Sequence, residues 1–214
     1  NLVMDAECTG YDQAGDTVTI SLKQTSTGEA MADVTAGALV ACDGLHSRVR
    51  KQMHPNDGDP RYSGINMWRG VTRMKPVRTG ASMIRVGWLT TGKAVIYPIR
   101  DNIDADGHQL MNWVAEIERP LSLEKRDWNK PGNLEDFLPA FADWTFDWLD
   151  VPKMFRDADV VLEFPMVDQD PLPFWTDARV TLMGDAAHPM VPRGSNGAGQ
   201  AIIDAACLTR LAVA

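Results

Sequence analysis

GDAAHPMVPRGSNGAGQ, residues 184–200, is the stretch whose reading decides the fold of this chain. It follows an apolar run, RVTLM at 179–183, and leads into AIIDAACLTRLAVA at 201–214. A strand that runs into Gly184-Asp185, then two prolines and three glycines, then a helix, sets a carboxylate at the C-terminal edge of a sheet. In open α/β sheets that edge is where ligands bind. Gly194, Gly197 and Gly199 allow close backbone approach and positive φ. A helix from about Asn196 onward aims unpaired N–H groups and the positive end of its dipole at the same place. Ala198, Ala201, Ala205 and Leu208 recur on one side of that helix, which suits close packing on a sheet.

A second segment has the same form. CDGLHSRVR at 42–50 follows a short buried strand, 38–42, and passes through Asp43-Gly44 into helical residues carrying Arg48, Arg50 and Lys51. Ser47 is placed to cap that helix. Taken singly, either segment reads equally well as an ordinary capped turn. Their succession in one chain is harder to dismiss.

Between them the pattern changes. GINMWRGVTR, SMIRVGWL, KAVIYPIR and QLMNWVAEI, within 63–118, are rich in β-branched and aromatic residues and are separated by turn clusters, which predicts an antiparallel sheet. Beyond Pro120 the period turns helical in NLEDFLPAFADW and DWLDVPKMFRDA. VVLEFPMVDQDPLPFW then reads as a strand leading into a proline-rich loop. The fold class expected is α+β. Residues 1–55 and 165–214 would form an α/β unit, and 56–164 a mixed-sheet unit with helices, with PNDGDP at 55–60 marking the first boundary. Six of the seven tryptophans fall between Trp68 and Trp148, among several methionines. They read as a core of large side chains or, for Trp68 and Trp113, as walls of a pocket for a flat ligand.

Composition narrows the functional classes. A chain of 214 residues can bury roughly 70% of its unfolded surface. The net charge of −8 disfavours nucleic acid and anionic membrane as partners. Cys8, Cys42 and Cys207 lack any CxxC spacing, so an intracellular, cytoplasmic protein without a disulfide framework is expected. His46, His54, His108 and His188 lack metal-ligand spacing, and no metal is expected. There is no GxSxG elbow for a hydrolase. No apolar stretch approaches the roughly 20 residues of a membrane span. The chain opens within a strand hairpin, without Met or signal peptide, and reads as the later part of a longer protein.

The two segments together resemble those of the flavin-dependent aromatic hydroxylases, the single-component monooxygenases with the p-hydroxybenzoate hydroxylase fold. A DGxxSxxR segment and a GDAAHxxxPxxGxG segment occur there in this order. MWRGV, YPI, NWV, DWNKPGNLEDFLPAFADW and FPMVDQDPLPFW look most like the monooxygenases of phenazine pigment biosynthesis. The resemblance implies FAD as cofactor, NADPH or NADH as co-substrate, dioxygen as oxidant, and a small aromatic or heteroaromatic substrate. It implies that Asp185 binds a ribityl hydroxyl. Gly184, Gly194, Asn196 and Gly197 would border the flavin, with Asn196 and Gly197 donating amides to its pyrimidine end. The carbonyl of Pro192 would lie by the reacting edge, and Asp43, Gly44 and Arg50 near the pyrophosphate. His188 is given a packing role. Trp68, Tyr97 and Trp113 are candidate substrate walls.

One part of the family pattern is missing. No strand–GxGxxG–helix fingerprint for the adenosine part of FAD lies upstream of Asp43, and GSNGAG is the flavin loop instead. The resemblance thus implies that these residues carry the flavin-facing half of a cofactor site, and the chain alone is expected to bind FAD poorly or not at all and to be inactive. The alternative reading is a non-catalytic module of the same fold that binds an aromatic ligand or partner.

Overall fold

In the computed structural model, which describes residues 2–119 and 130–212, strands and short helices are interleaved in an α+β fold. β1 (Ala6–Ala14) and β2 (Thr17–Gln24) form an antiparallel hairpin in which Ala14 faces Thr17. The loop is therefore only Gly15-Asp16, and Gly15 takes the positive φ, +55°, that so short a loop demands. β3 (Val34–Ala36) extends this sheet beside β2. β4 (Leu39–Ala41) delivers the chain to Asp43-Gly44 and α1 (Arg48–Met53).

The following segment forms the predicted antiparallel sheet. β5 (Arg61–Met74), β6 (Ile84–Trp88), β7 (Gly92–Arg100) and β8 (Gln109–Glu118) lie in the order β5-β8-β7-β6. The helical expectation after Pro120 is corrected. Residues Leu134–Asp136 and Leu138–Phe141 make 3-10 turns, and β9 (Thr145–Phe146) pairs with β10 (Leu149–Asp150). Among the described residues of this segment, only α2 (Val151–Arg156) is an α-helix. The prolines explain this: Pro139 lacks the N–H that a longer helix needs, whereas Pro152 is tolerated in the first turn of α2. Asp150 caps α2, its carboxylate accepting from Lys153 N–H at 2.8 Å. Residues 127–129 of the DWNKPGN stretch lie outside the described residues. β11 (Val161–Asp168) adds to the sheet beside β5.

The chain then forms β12 (Thr176–Asp177), β13 (Val180–Leu182) and α3 (Gly197–Ala212). β13 pairs antiparallel with β12 and parallel with β4, Leu182 facing Ala41. These elements divide into two units, Asn1–Arg61 with Val167–Ala214 and Tyr62–Met166. The first unit boundary follows Arg61, just past PNDGDP at 55–60.

The core of unit 2 is aromatic. Trp68 stacks on Phe137 with ring centroids 5.0 Å apart, and Trp113 meets Phe155 at 4.5 Å. Trp113 lies across Gly70, where a Cβ would come within 2.3 Å of the indole. Its Nε1–H donates to Thr72 Oγ1 at 3.0 Å, which in turn donates to the Met154 carbonyl at 2.7 Å. The core of unit 1 is smaller, formed by Val18, Val49, Val180 and Leu182 with Tyr11, Ala41, Ala186 and Ala187.

Candidate functional site

β4 and β13 run parallel and end at the same level, so both motif segments leave the same edge of one sheet. At the first, Gly44 has φ +78° and its carbonyl accepts from Ser47 N–H at 3.0 Å. Asp43 Oδ2 accepts from the N–H groups of Arg48 (2.8 Å) and Val49 (3.4 Å), while Ser47 Oγ accepts from Arg50 N–H at 2.9 Å. Both side chains therefore satisfy the start of α1. Asp43 remains exposed.

At the second, Gly184 adopts φ +59° and its carbonyl accepts from the N–H groups of Ala187 and His188, each at 2.9 Å. A Cβ on Gly184 would lie 3.3 Å from that of Ala201, so the turn packs tightly on α3. The inward stripe of α3 is Gly197, Ala201, Asp204, Ala205 and Leu208. Ala198, expected on this stripe, is exposed instead. Asp185 is exposed and has no partner among the described residues. Its Oδ1 sits 4.0 Å from where a Cβ on Gly197 would be, placing the carboxylate against the first turn of α3.

The intervening loop is open. Arg193 N–H donates to the Val191 carbonyl at 2.7 Å, closing a tight turn centred on Pro192. The exposed Pro192 keeps its own carbonyl without a partner among the described residues. Gly194 (φ +86°) and Ser195 (φ +57°) then reverse the chain toward Asn196. The first bond of α3 runs from Gln200 N–H to the Asn196 carbonyl at 2.9 Å. The amides of Gly197, Ala198 and Gly199 therefore have no acceptor within the helix. A Cβ on Gly199 would meet nothing within 4 Å, so the space over this turn is free.

Arg50 is a correction. Expected beside a cofactor pyrophosphate, it is 2% exposed and bonded throughout to protein. Nε donates to Asp57 Oδ2 at 2.7 Å, Nη1 to the carbonyls of Ala187 (2.9 Å) and Ala186 (3.3 Å), and Nη2 to that of Asp170 at 3.3 Å. The planar fork of donors thus locks the DGLHSR segment to the GDAAH turn. In this way Arg50 ties the two segments together.

Asp204 was not legible as a functional residue. Its Oδ2 accepts from Gly184 N–H at 2.9 Å and from His188 Nε2–H at 2.6 Å. The His188 ring also packs on Trp175 with centroids 4.9 Å apart. A signal did exist: Asp204 is a carboxylate on the inward, half-buried stripe of α3, beside Ala201 and Ala205, and such a group gains from a partner. Trp68 and Trp113, candidate substrate walls, have no exposed surface and belong to the core, the other reading the sequence allowed. Tyr97, half-buried, points to the opposite face of its sheet. Among the described residues Asp104, Asp106 and His108 lie close enough to hold a cation. Asp104, however, already pairs with Arg73 and with His108 Nδ1, the latter at 2.9 Å.

A parallel strand pair thus opens onto an exposed carboxylate and onto helix amides that lack an acceptor within the helix. The chain belongs to the family described as FAD binding domain, which it matches over residues 1–213. It is 41% identical over 194 residues to phenazine 1,6-dicarboxylic acid hydroxylase PhzS of Lysobacter antibioticus, covering 89% of this chain and 47% of that protein. With 3-amino-4-hydroxybenzoate 2-monooxygenase PtnB3 of Streptomyces platensis it shares 34% identity over 209 residues, 96% of this chain and 48% of the relative. A solved structure of salicylate hydroxylase superposes with TM-score 0.67 at 23% identity, covering 94% of this chain and 50% of that one. The chain thus spans about half the length of the curated relatives it matches. Among the described residues no helix is long and apolar enough to cross a membrane.

Proposed function

We propose that the chain carries the flavin-ring and substrate portions of an FAD-dependent monooxygenase that hydroxylates an aromatic or heteroaromatic ring with NAD(P)H and dioxygen. The observation that carries the reading is the common exit of both motif segments from β4 and β13, with Asp185 and the free amides of α3 at that edge. The names of the relatives, a phenazine dicarboxylic acid hydroxylase and an aminohydroxybenzoate monooxygenase, point the same way.

The residues present fit the ring end of FAD. Asp185, exposed and unpaired, accepts from a ribityl hydroxyl. Asn196 and Gly197 donate amides to the electron-rich edge of the pyrimidine, where the helix dipole contributes roughly 0.3–1 kcal/mol to holding negative charge. Pro192, whose carbonyl is without a partner among the described residues, would offer that carbonyl to the reacting edge. Arg50 and Asp204 keep the two turns in register, so these groups need no rearrangement to act. The bound flavin supplies the reduction by nicotinamide and the activation of oxygen, chemistry that no side chain provides. The cytoplasm, where reduced nicotinamide nucleotide is available, is the compartment this reading requires.

Titration of the purified chain with FAD and with FMN tests it, the flavin absorption band and fluorescence being followed. Both flavins should perturb the band, with similar affinity, because no GxGxxG fingerprint is present to reward the adenosine part. Asp185→Ala should weaken both about tenfold, the loss of roughly 1–2 kcal/mol that one charge-assisted hydrogen bond contributes. Since binding by this chain alone is expected to be weak, the titration is carried to flavin saturation of the solution, and a folded chain that leaves both spectra unchanged even there would sink the reading.

A further inference from the structure

The turn that carries Asp185 is held at its two ends by side chains of opposite charge. Met183 N–H makes a last bond to β4, at the Ala41 carbonyl, 3.0 Å away. The next amide, that of Gly184, has left the sheet and meets α3, where Asp204 Oδ2 accepts it at 2.9 Å. At the far end the carbonyls of Ala186 and Ala187 accept from Arg50. An anion thus takes the N–H end and a cation the C=O end, each suited to the backbone polarity it meets. Of residues 184–188, Asp185 alone is exposed.

Both bonds of Asp204 fall on one oxygen. Oδ2 also accepts from His188 Nε2–H at 2.6 Å, and a proton on the buried Nδ1 would face no acceptor, so the ring donates as its Nε2–H tautomer. Oδ1 takes part in neither bond, and the carboxylate is only partly covered. Two donors converging on one oxygen ask for an acceptor in the right place rather than for a charge. The single carbonyl oxygen of an asparagine could meet both. Ala201, three residues earlier on the same face of α3, would lie 3.3 Å from a Cβ on Gly184. Ala201 therefore sets how closely the turn approaches the helix, and Asp204 sets its direction.

We propose that Asp204 is a positioning residue: as an acceptor, and not as a charge, it fixes the turn so that the Asp185 carboxylate stands against the first turn of α3. His188 is its second contact and ties the end of the turn to the same oxygen. This deepens the flavin reading and rests on it for the use made of the turn, while the positioning itself is measurable without flavin.

The experiment compares the chain with Asp204→Asn and with Asp204→Leu, which keeps the bulk of the side chain. Amide hydrogen exchange followed by NMR reads Gly184 directly, with the amides of β7 and β8 as the reference for overall stability. Asp204→Leu should speed exchange at Gly184 at least about tenfold and leave β7 and β8 unchanged, a local rather than global opening. Asp204→Asn should keep both the protection of Gly184 and the Nε2–H tautomer of His188, the latter read from imidazole nitrogen shifts. In the flavin titration Asp204→Leu should weaken binding about fivefold, the worth of roughly one hydrogen bond, and Asp204→Asn should match the parent. Loss of protection in Asp204→Asn would overturn the proposal even if Asp204→Leu failed to fold. Protection retained in Asp204→Leu, or equal flavin affinity in all three chains, would overturn it too. A parent chain that perturbs no flavin spectrum fails the flavin reading alone, and the exchange at Gly184 still decides whether Asp204 sets the turn.

Discussion

The two units are held together by different means. In unit 2 the largest fully buried side chains are Trp68, Trp113, Phe137, Phe141 and Phe155, whereas in unit 1 the largest is Arg50. Rings fill space and gain stability from burial with modest demands on direction. A buried guanidinium works only if every acceptor stands where its fork points, so unit 1 is a geometric device first and a core second. The difference matches what each offers: unit 1 presents backbone groups whose positions must be fixed, and unit 2 presents a broad sheet face.

This contrast can be broken by substitution. Trp113→Ala should cost about 3–5 kcal/mol through loss of transfer energy and the cavity left behind. Urea unfolding should show the loss in unit 2, while Trp175, the one tryptophan of unit 1, reports a nearly unchanged midpoint. If both probes shift together, the units are not independent and the comparison fails. Arg50→Met should cost about 3–5 kcal/mol, because it strands the Asp57 carboxylate and several carbonyls. Here the Trp175 signal should move. Arg50→Lys should recover less than half, since one ammonium cannot serve acceptors on opposite sides. Recovery in full would show that charge alone matters.

Asp204→Ala should have a smaller effect, about 1–3 kcal/mol, by leaving Gly184 N–H and His188 Nε2–H without their acceptor. It should also weaken flavin binding more than it lowers the melting temperature of unit 2. The smallest effect is expected at Asp104 in unit 2. Burial raises its carboxyl pKa, but hydrogen bonds from the His108 ring and amide and the charge of Arg73 outweigh this and hold it well below the ordinary 3.8. A depressed carboxylate stabilises the fold above that ordinary value and loses its contribution as pH falls further. Stability measured below pH 3.8 should therefore fall less steeply in Asp104→Asn than in the parent.

Much of unit 2 was legible because alternation and turn clusters are local signals, and all four strands within 63–118 formed and paired antiparallel. What alternation cannot give is which face becomes core. Trp68 and Trp113 share a parity that the Phe137, Phe141 and Phe155 rings cover, and only tertiary packing decided that. The helical period of 133–158 was genuine as a pattern of burial, but proline and the short connections let only α2 form as an α-helix. In unit 1 the strand ends, glycines and capping residues were readable one at a time. The pairing of β4 with β13, the fate of Arg50 and the acceptor role of Asp204 involve residues far apart in sequence, and no local pattern encodes them.

The parallel ladder of β4 and β13 joins residues 39–41 to residues 180–182. Everything between has to be synthesised before that ladder can close, including the whole of unit 2. On the ribosome, Tyr62–Met166 can therefore settle while the first sixty residues wait for their counterpart. Closure of so long a loop is the slow kind of step, which leaves the nascent chain most exposed to misassembly until β13 has found β4.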